Sequence, residues 1–303
     1  MPAQYREEPC RSALNRVEGM PFEWSLNPYM GCAHRCTFCY VRGFERRAER
    51  PADDRYGRSI RVKTNVAEVL RRELSRPSWK REGIAIGAAT DPYQPAEGRY
   101  RLTRACIEVL GAARTPFSII TRGPLIVRDI DVLQRASGHA RVSVSVSVPT
   151  LDEALWRVTE PGTAPPRQRL RAVRMLADAG IRVGVALAPI LPGLSDSPES
   201  LEQVVRAARE AGAGHLWSGM LYLRSGTREH FLETLGRVWP EKRAALEANY
   251  AGRAFLPKCQ QRGLGEEIRT LRERFPFQST VPIIEAVPSP EPPIMAQQLG
   301  FAF

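Results

Sequence analysis

Residues 27–40 read Asn27-Pro28-Tyr29-Met30-Gly31-Cys32-Ala33-His34-Arg35-Cys36-Thr37-Phe38-Cys39-Tyr40. Three cysteines fall within eight residues, spaced C-x₃-C-x₂-C, in a loop after a first candidate strand, Phe22–Asn27. Thiolates this close in sequence can wrap one compact centre, because thiolate is the soft ligand that iron–sulfur clusters and zinc prefer. An electron-transfer cluster takes four cysteines. Here only three are local, so a [4Fe–4S] cluster on Cys32, Cys36 and Cys39 keeps one iron open. Zinc would need a fourth ligand to close its tetrahedron, and His34, inside the loop at a poor spacing, is its one nearby candidate. A chance trio of core cysteines is the remaining reading, and Gly31, His34 and Arg35 do not make a core segment. The other cysteines, Cys10, Cys106 and Cys259, are scattered.

Downstream of the loop, short apolar runs alternate with helical patterns. Candidate strands are Ile84–Ala88, Phe117–Thr121, Val142–Val148, Val183–Ala188 and Leu216–Leu223. Candidate helices between them are Val66–Ser75, Thr103–Ala113, Val127–Ala136, Gln168–Ala179 and Pro198–Ala211. In the fourth, Leu170, Val173, Leu176 and Ala177 share a face and Gly180 follows as a C-cap. Such alternation predicts a mostly parallel sheet, and six units predict an α/β fold: a partial (β/α)6 TIM-like barrel. In barrels of this kind the chemistry sits at the C-terminal strand ends. Residues 1–20 lack periodicity and read as a flexible arm, followed by the barrel over 21–225. Helical patterns then continue through 226–274 (Thr227–Arg237, Glu241–Tyr250, Gly265–Arg274) without a clear strand. From Phe275 to Phe303 prolines crowd the sequence and disfavour helix, predicting a Pro-rich tail.

Composition sets the context. Of 303 residues 43% are hydrophobic and 25% charged, ordinary for a soluble globular protein. No apolar run approaches the roughly 20 residues of a membrane-spanning helix, and residues 1–8 lack the apolar core of a secretory signal. The expectation is a cytoplasmic protein with no membrane partner, where clustered cysteines mean metal or catalysis rather than disulfides. The net charge is +11, carried by arginine, with lysine only at 63, 80, 242 and 258. That excess suits an anionic partner.

The cysteine loop closely resembles the signature of the radical S-adenosylmethionine (SAM) superfamily, in which an aromatic residue, here Phe38, precedes the third cysteine. The resemblance implies that the open iron chelates the amino and carboxylate groups of SAM. An electron from an external flavodoxin- or ferredoxin-type donor then cleaves the sulfonium to methionine and a 5′-deoxyadenosyl radical, which abstracts hydrogen from substrate. The protein orients the cofactor and excludes side reactions. The string Thr90-Asp91-Pro92-Tyr93-Gln94-Pro95 resembles relatives of spore photoproduct lyase, a DNA-repair branch. The resemblance spans about residues 11–225.

It implies further contacts to SAM. Thr90 and Asp91 offer acceptors for the amino group; a proline-bracketed turn capped by Asp91 is the structural alternative. In the alternating run Val142–Val148, Ser145 and Ser147 are candidates for the ribose if the serines face the lumen, or a solvent-facing side if they do not. Arg167 and Arg169 can pair with the carboxylate or lie solvated on their helix. Pro189 belongs to Pro189-Ile190-Leu191-Pro192-Gly193-Leu194-Ser195-Asp196, which resembles the adenine-binding segment. The lyase relies on a cysteine hydrogen donor near SAM, and none is matched here. Cys106 has core spacing, and the candidate catalytic residues are Tyr93 and Cys259.

Two substrate classes follow for such an enzyme. Arg42, Arg46, Arg47, Arg50, Arg55, Arg58, Arg61 and Lys63, interleaved with Phe44 and Tyr56, suit a nucleic acid, although Glu45, Glu49, Asp53 and Asp54 balance part of that charge. A small molecule or a protein is the second class. A zinc-binding nucleic-acid module is the alternative outside enzymes.

Overall fold

The computed structural model describes residues 3–277; the expected tail over 278–303 lies outside the described residues. Along the chain the elements are β1 (Gln4–Glu8), β2 (Leu14–Arg16), β3 (Trp24–Leu26), β4 (Tyr29–Met30), α1 (Val41–Arg47), β5 (Ser59–Lys63), α2 (Val66–Leu74) and β6 (Ile84–Ile86). Next come α3 (Pro95–Tyr100), α4 (Leu102–Ala112), β7 (Phe117–Thr121), a 3₁₀ turn over Pro124–Asp129, α5 (Ile130–Ser137), β8 (Val142–Ser147), α6 (Glu153–Thr159) and α7 (Pro166–Asp178). The chain continues through β9 (Val183–Ile190), α8 (Pro198–Glu210), β10 (His215–Met220), α9 (Thr227–Val238), α10 (Pro240–Asn249) and α11 (Lys258–Arg274).

Six strands run parallel in the order β3-β6-β7-β8-β9-β10, and β2 pairs antiparallel with β3 as a seventh at the edge. This is the expected partial barrel. The period-two pattern of its strands decides which face meets the helices. In β8, Val142, Val144 and Val146 join Ile84, Ile86, Phe117, Ile119, Val183 and Val185 in one buried cluster with apolar side chains of α2, α4, α5, α7 and α8. Each such valine adds about 1.5–3 kcal/mol over the exposed state. Alternate residues face the other way, into the lumen. There the rungs are Ser25–Ala85–Ser118–Ser143, then Ile120–Ser145–Gly184–His215, then Ser147–Ala186–Trp217. Most of these lumen side chains are small or polar, with Ile120, His215 and Trp217 the larger ones.

Two expectations are revised. Residues 1–20 are not a loose arm: β1 pairs in parallel with β5, and β2 with β3. Backbone pairing needs no apolar periodicity, and the Glu73 carboxylate accepts from the Ser12 hydroxyl and the Ala13 and Leu14 amides. A second sheet, β1-β5-β4, stands beside the barrel, with Tyr29, Ile60 and Val62 in a small core of their own; the sequence reading did not predict these short strands. The helices α9 to α11 follow β10 as expected. Among the described residues no helix is long and apolar enough to cross a membrane.

Candidate iron–sulfur and S-adenosylmethionine site

The cysteine loop lies between β4 and α1, and far segments fix it through its backbone. Turns close it locally, with the Arg35 amide on Cys32 O and the Cys39 amide on Cys36 O, both at 3.2 Å. The Gly31 carbonyl accepts from the Thr90 hydroxyl at 2.7 Å and from Gln94 Nε2 at 3.1 Å, while Gln94 Oε1 accepts from the Ala33 amide at 3.0 Å. From the other side the Thr37 amide donates to Thr159 O at 2.8 Å and the Gly162 amide to His34 O at 3.0 Å. Cys32 and Cys36 are buried and Cys39 is half-buried. Burial pushes the Cys36 and Cys39 thiols up from their ordinary values, a cost that metal ligation overcomes because only the thiolate binds.

The surroundings fit an anionic cluster. Arg42 is 2% exposed and meets no carboxylate: its donors go to the carbonyls of Cys36, Ala52, Asp53 and Arg35. A buried cation without a directly bonded counter-charge is costly. Burial lowers the Arg42 pKa, and the negative charges that act against this are those of Cys39, Tyr56, Cys36 and Asp54, two of them cluster cysteines. The zinc alternative does not fit. Among the described residues no three His, Cys, Asp or Glu side chains gather around a single ion. A four-iron cluster spreads its three cysteines over three irons and makes no such demand. His34 Nδ1 lies 3.2 Å from Asp91 Oδ2, and the ring also interacts with Cys32, so it is held between a carboxylate and one cysteine rather than at the centre of a four-ligand shell.

Thr90 and Asp91 hold the loop and the turn rather than offering free acceptors. Thr90 Oγ1 donates to Gly31 O and accepts from Gln94 Nε2 at 2.9 Å. Asp91 accepts from the Tyr93 amide and the Thr121 hydroxyl on one oxygen and the Arg122 amide on the other, at 2.6–2.8 Å, beside His34. Burial works to raise its pKa, but the His34 charge and these donors outweigh it and hold the carboxyl at about 2. This is the capped turn, the structural alternative for that string. Tyr93 is 2% exposed and donates to Asp129 Oδ2 at 3.1 Å. Asp129 also meets Arg104 and Arg128, and Arg128 reaches Glu97, which takes the Tyr29 hydroxyl. Tyr93 is therefore locked in a structural network and not presented to a substrate.

The arginines are rearranged most. Arg169 is fully buried on Glu160, with every donor occupied: Glu160 Oε1 and Oε2, Ser147 O, Ala164 O and Thr163 Oγ1. Arg167 is exposed. The cation at the site is Arg122, just past β7, which the sequence reading missed. It donates to Glu160 Oε1 at 2.6 Å and to Ala188 O at 3.0 Å, and its guanidinium lies 5.5 Å from the Phe38 ring centroid. No partner takes its Nη1 among the described residues, and its charge acts on the Cys36 thiol. That free Nη1, on a guanidinium held beside the cluster thiols, suits one oxygen of a carboxylate. The available signal was a cation at the C-terminal end of a predicted strand, before the Gly123-Pro124 turn.

Phe38 is 6% exposed, edge-on to Phe231 at 6.5 Å. Ser145 and Ser147 do face the lumen, as one reading required. However, the Ser145 hydroxyl accepts from Trp217 Nε1 at 3.1 Å and lies 3.5 Å from His215 Nε2, so it braces the floor. Ser147, one rung nearer the C-terminal rim, has no side-chain partner among the described residues. Pro189 follows Ala188, whose carbonyl takes Arg122. Cys259 is exposed in the first turn of α11 and makes no hydrogen bond there, and Cys106 is a core residue.

Known proteins bear on both the family and the fold. A protein of Mycobacterium tuberculosis, itself uncharacterized, is 39% identical over 274 residues, covering 89% of this chain and 81% of its own. One from Acidianus two-tailed virus is 30% identical over 224 residues, covering 70% and 71%. Among solved structures, a mutant spore photoproduct lyase with bound AdoMet and dinucleoside spore photoproduct superimposes with a TM-score of 0.68 at 17% identity, covering 90% of this chain and 80% of that one. SuiB of Streptococcus suis bound to a precursor peptide gives 0.51 at 15% identity, covering 82% and 46%. The model of the Radical SAM superfamily matches residues 26–204, which run from the end of β3 into α8 and enclose the cysteine loop, Arg122 and strands β6 to β9, and on that match this chain belongs to the radical SAM superfamily.

Proposed function

We propose that this enzyme directs its radical chemistry at a nucleic acid. A [4Fe–4S] cluster on Cys32, Cys36 and Cys39, with SAM on its open iron, supplies reductive cleavage of the sulfonium and hence hydrogen abstraction. The chain's own residues do the rest. Arg122 meets the SAM carboxylate through its free Nη1, and Glu160 holds that guanidinium in place. Ser147 faces the lumen at the rung nearest the mouth, where the ribose is expected. The electron comes from an external flavodoxin- or ferredoxin-type protein.

The observation that carries the substrate class is an arginine–aromatic rim at the mouth. Tyr222 and Phe255 pack with centroids 4.8 Å apart, and Arg224 lies 5.7 Å from the Tyr222 ring. Arg47 lies 4.9 Å from the ring of Phe44, which is edge-on to Tyr40. Neither Arg47 nor Arg224 has an acidic partner among the described residues. Cations without acidic partners, held against half-exposed aromatic rings, are the composition of a single-strand platform. Most of the basic stretch read from the sequence contributes little. Arg46, Arg50, Arg55 and Arg61 pair with Glu229, Glu45, Asp53 and Glu8, while Arg42, Lys63 and Tyr56 are buried. The spore photoproduct lyase structure, with its dinucleoside ligand, supports the same class by analogy of fold.

Fluorescence anisotropy with a single-stranded oligonucleotide tests this reading. Binding should weaken steeply with salt, and Arg47→Gln and Arg224→Gln should each lower the salt slope by about 1. The reduced holoprotein should form 5′-deoxyadenosine from SAM faster with the oligonucleotide present. Cleavage of SAM with no salt-sensitive binding would refute the nucleic-acid reading and leave a small molecule or a protein as substrate.

A further inference from the structure

Tyr56 lies in the loop between α1 and β5, 17 residues beyond Cys39, and is 3% exposed. Its hydroxyl is 3.6 Å from Cys39 Sγ and has no other partner among the described residues. The Arg42 guanidinium sits 4.6 Å from the centroid of the Tyr56 ring. Two contacts keep this arrangement from drifting. The Tyr56 amide donates to Asp53 O at 2.9 Å. Gly57, at φ +75, presses so closely on the cysteine loop that a Cβ there would lie 2.2 Å from Cys32 O. Only glycine allows that backbone approach, and it seats Tyr56 against Cys39.

We propose that the Tyr56 hydroxyl donates a hydrogen bond to the Cys39 thiolate of the bound cluster and, with Arg42 over its ring, raises the potential at which the cluster accepts its electron. The inference rests on the cluster reading and goes beyond it. A ligated cysteine is a thiolate, which only accepts, so the hydroxyl must be the donor. One added electron makes the cluster more negative. Donors and cations aimed at its sulfurs therefore favour the reduced form, and hydrogen bonding to sulfur is a recognised lever on such potentials. Arg42 acts in the same direction twice: its charge is close to Cys39, and it draws electron density from the phenol, strengthening the donor. Tyr56 is thus a positioning and tuning residue, outside the cysteine motif itself.

The test uses anaerobically reconstituted holoprotein, with iron content measured and the reduced cluster followed by EPR across a redox titration. Tyr56→Phe keeps the ring and removes the donor. At a fixed applied potential its ratio of reduced to oxidised cluster should fall about three- to tenfold, tenfold being 59 mV for one electron. Replacing Tyr56 with 3-fluorotyrosine, a stronger donor of nearly the same shape, should move the midpoint the other way. It also serves as the readout if Tyr56→Phe loads iron poorly. Iron-loaded variants with wild-type midpoints would overturn the proposal and leave the cluster reading intact. A wild-type protein that takes up no iron would overturn the cluster reading itself.

Discussion

Glu160 is the carboxylate that holds both Arg122 and Arg169, and Glu160→Gln measures its weight. Glu160 and Arg169 are both 0% exposed, paired at 3.1 Å, and Arg122 donates to the same carboxylate at 2.6 Å. Its pKa is held below the usual carboxylate range: burial opposes ionisation, but Arg169 and Arg122 outweigh it. The amide variant keeps the shape and removes the counter-charge. Removing one partner of a buried pair costs about 3–5 kcal/mol. Arg169 retains Ser147 O, Ala164 O and Thr163 Oγ1, which argues for the lower end, about 3 kcal/mol. At roughly 2–4 °C per kcal/mol for a chain of this size, the melting temperature should drop by about 6–12 °C, followed by circular dichroism on anaerobic protein. Replacing both residues, Glu160→Met with Arg169→Met, should recover part of the loss, because no charge is then stranded at that pair. A Glu160→Gln variant melting within about 2 °C of wild type would refute the reasoning, since water would then be reaching the pair.

Two further outcomes follow from the same bonds. Asp91 is held at about 2 against an ordinary 3.8, and in return it pushes the buried His34 up to about 10 against the effect of burial. The Asp91 charge therefore adds about 2 kcal/mol that is lost as pH falls from about 4 toward 2, while the His34 share is lost as pH rises from about 6.5 toward 10. Denaturant unfolding should show the gap between wild type and Asp91→Asn widest between about pH 4 and 6.5 and shrinking on either side, whereas a gap growing on acidification below 4 would contradict the assignment. Ser145→Ala should leave SAM affinity within about twofold, 0.4 kcal/mol, while costing about 1 kcal/mol of stability for the abandoned Trp217 Nε1; a tenfold loss of SAM binding in equilibrium dialysis would return Ser145 to the cofactor.

The sequence was most informative where physics is local. Cys32, Cys36 and Cys39 are close because the chain makes them so, and the valines of β8 announce their buried face by period two. Strand β7 falls on the expected residues, and most of the other barrel elements lie within one to three residues of their predicted ends. Strand β1 was invisible because its pairing is carried by backbone and not by apolar pattern, and β5 because its period-two pair, Ile60 and Val62, is short and set among charges. Arg169 illustrates a different failure. A helix arginine reads as solvated or ligand-bound, and nothing local reveals that Glu160, nine residues earlier, will enclose it. Arg122 and Arg169 exchange their expected parts because a buried carboxylate claims one guanidinium wholly and the other in part.

That exchange clarifies what the conspicuous Thr90–Pro95 string does. Had Asp91 and Thr90 been cofactor ligands, free lone pairs would face the lumen; instead their oxygens tie β6, β7 and the cysteine loop into one unit. The motif carries function at one remove, since it fixes where the thiols stand relative to Arg122, whose own amide Asp91 holds. A radical enzyme has reason to be built so, because a reactive intermediate punishes small errors of position more than small losses of affinity. The proposed substrate rim has no such scaffold in sequence: Phe44, Arg47, Tyr222, Arg224 and Phe255 come from three separate segments. The cluster thiols are written in contiguous residues, whereas Arg122, Ser147 and the proposed rim come together only once the chain has folded.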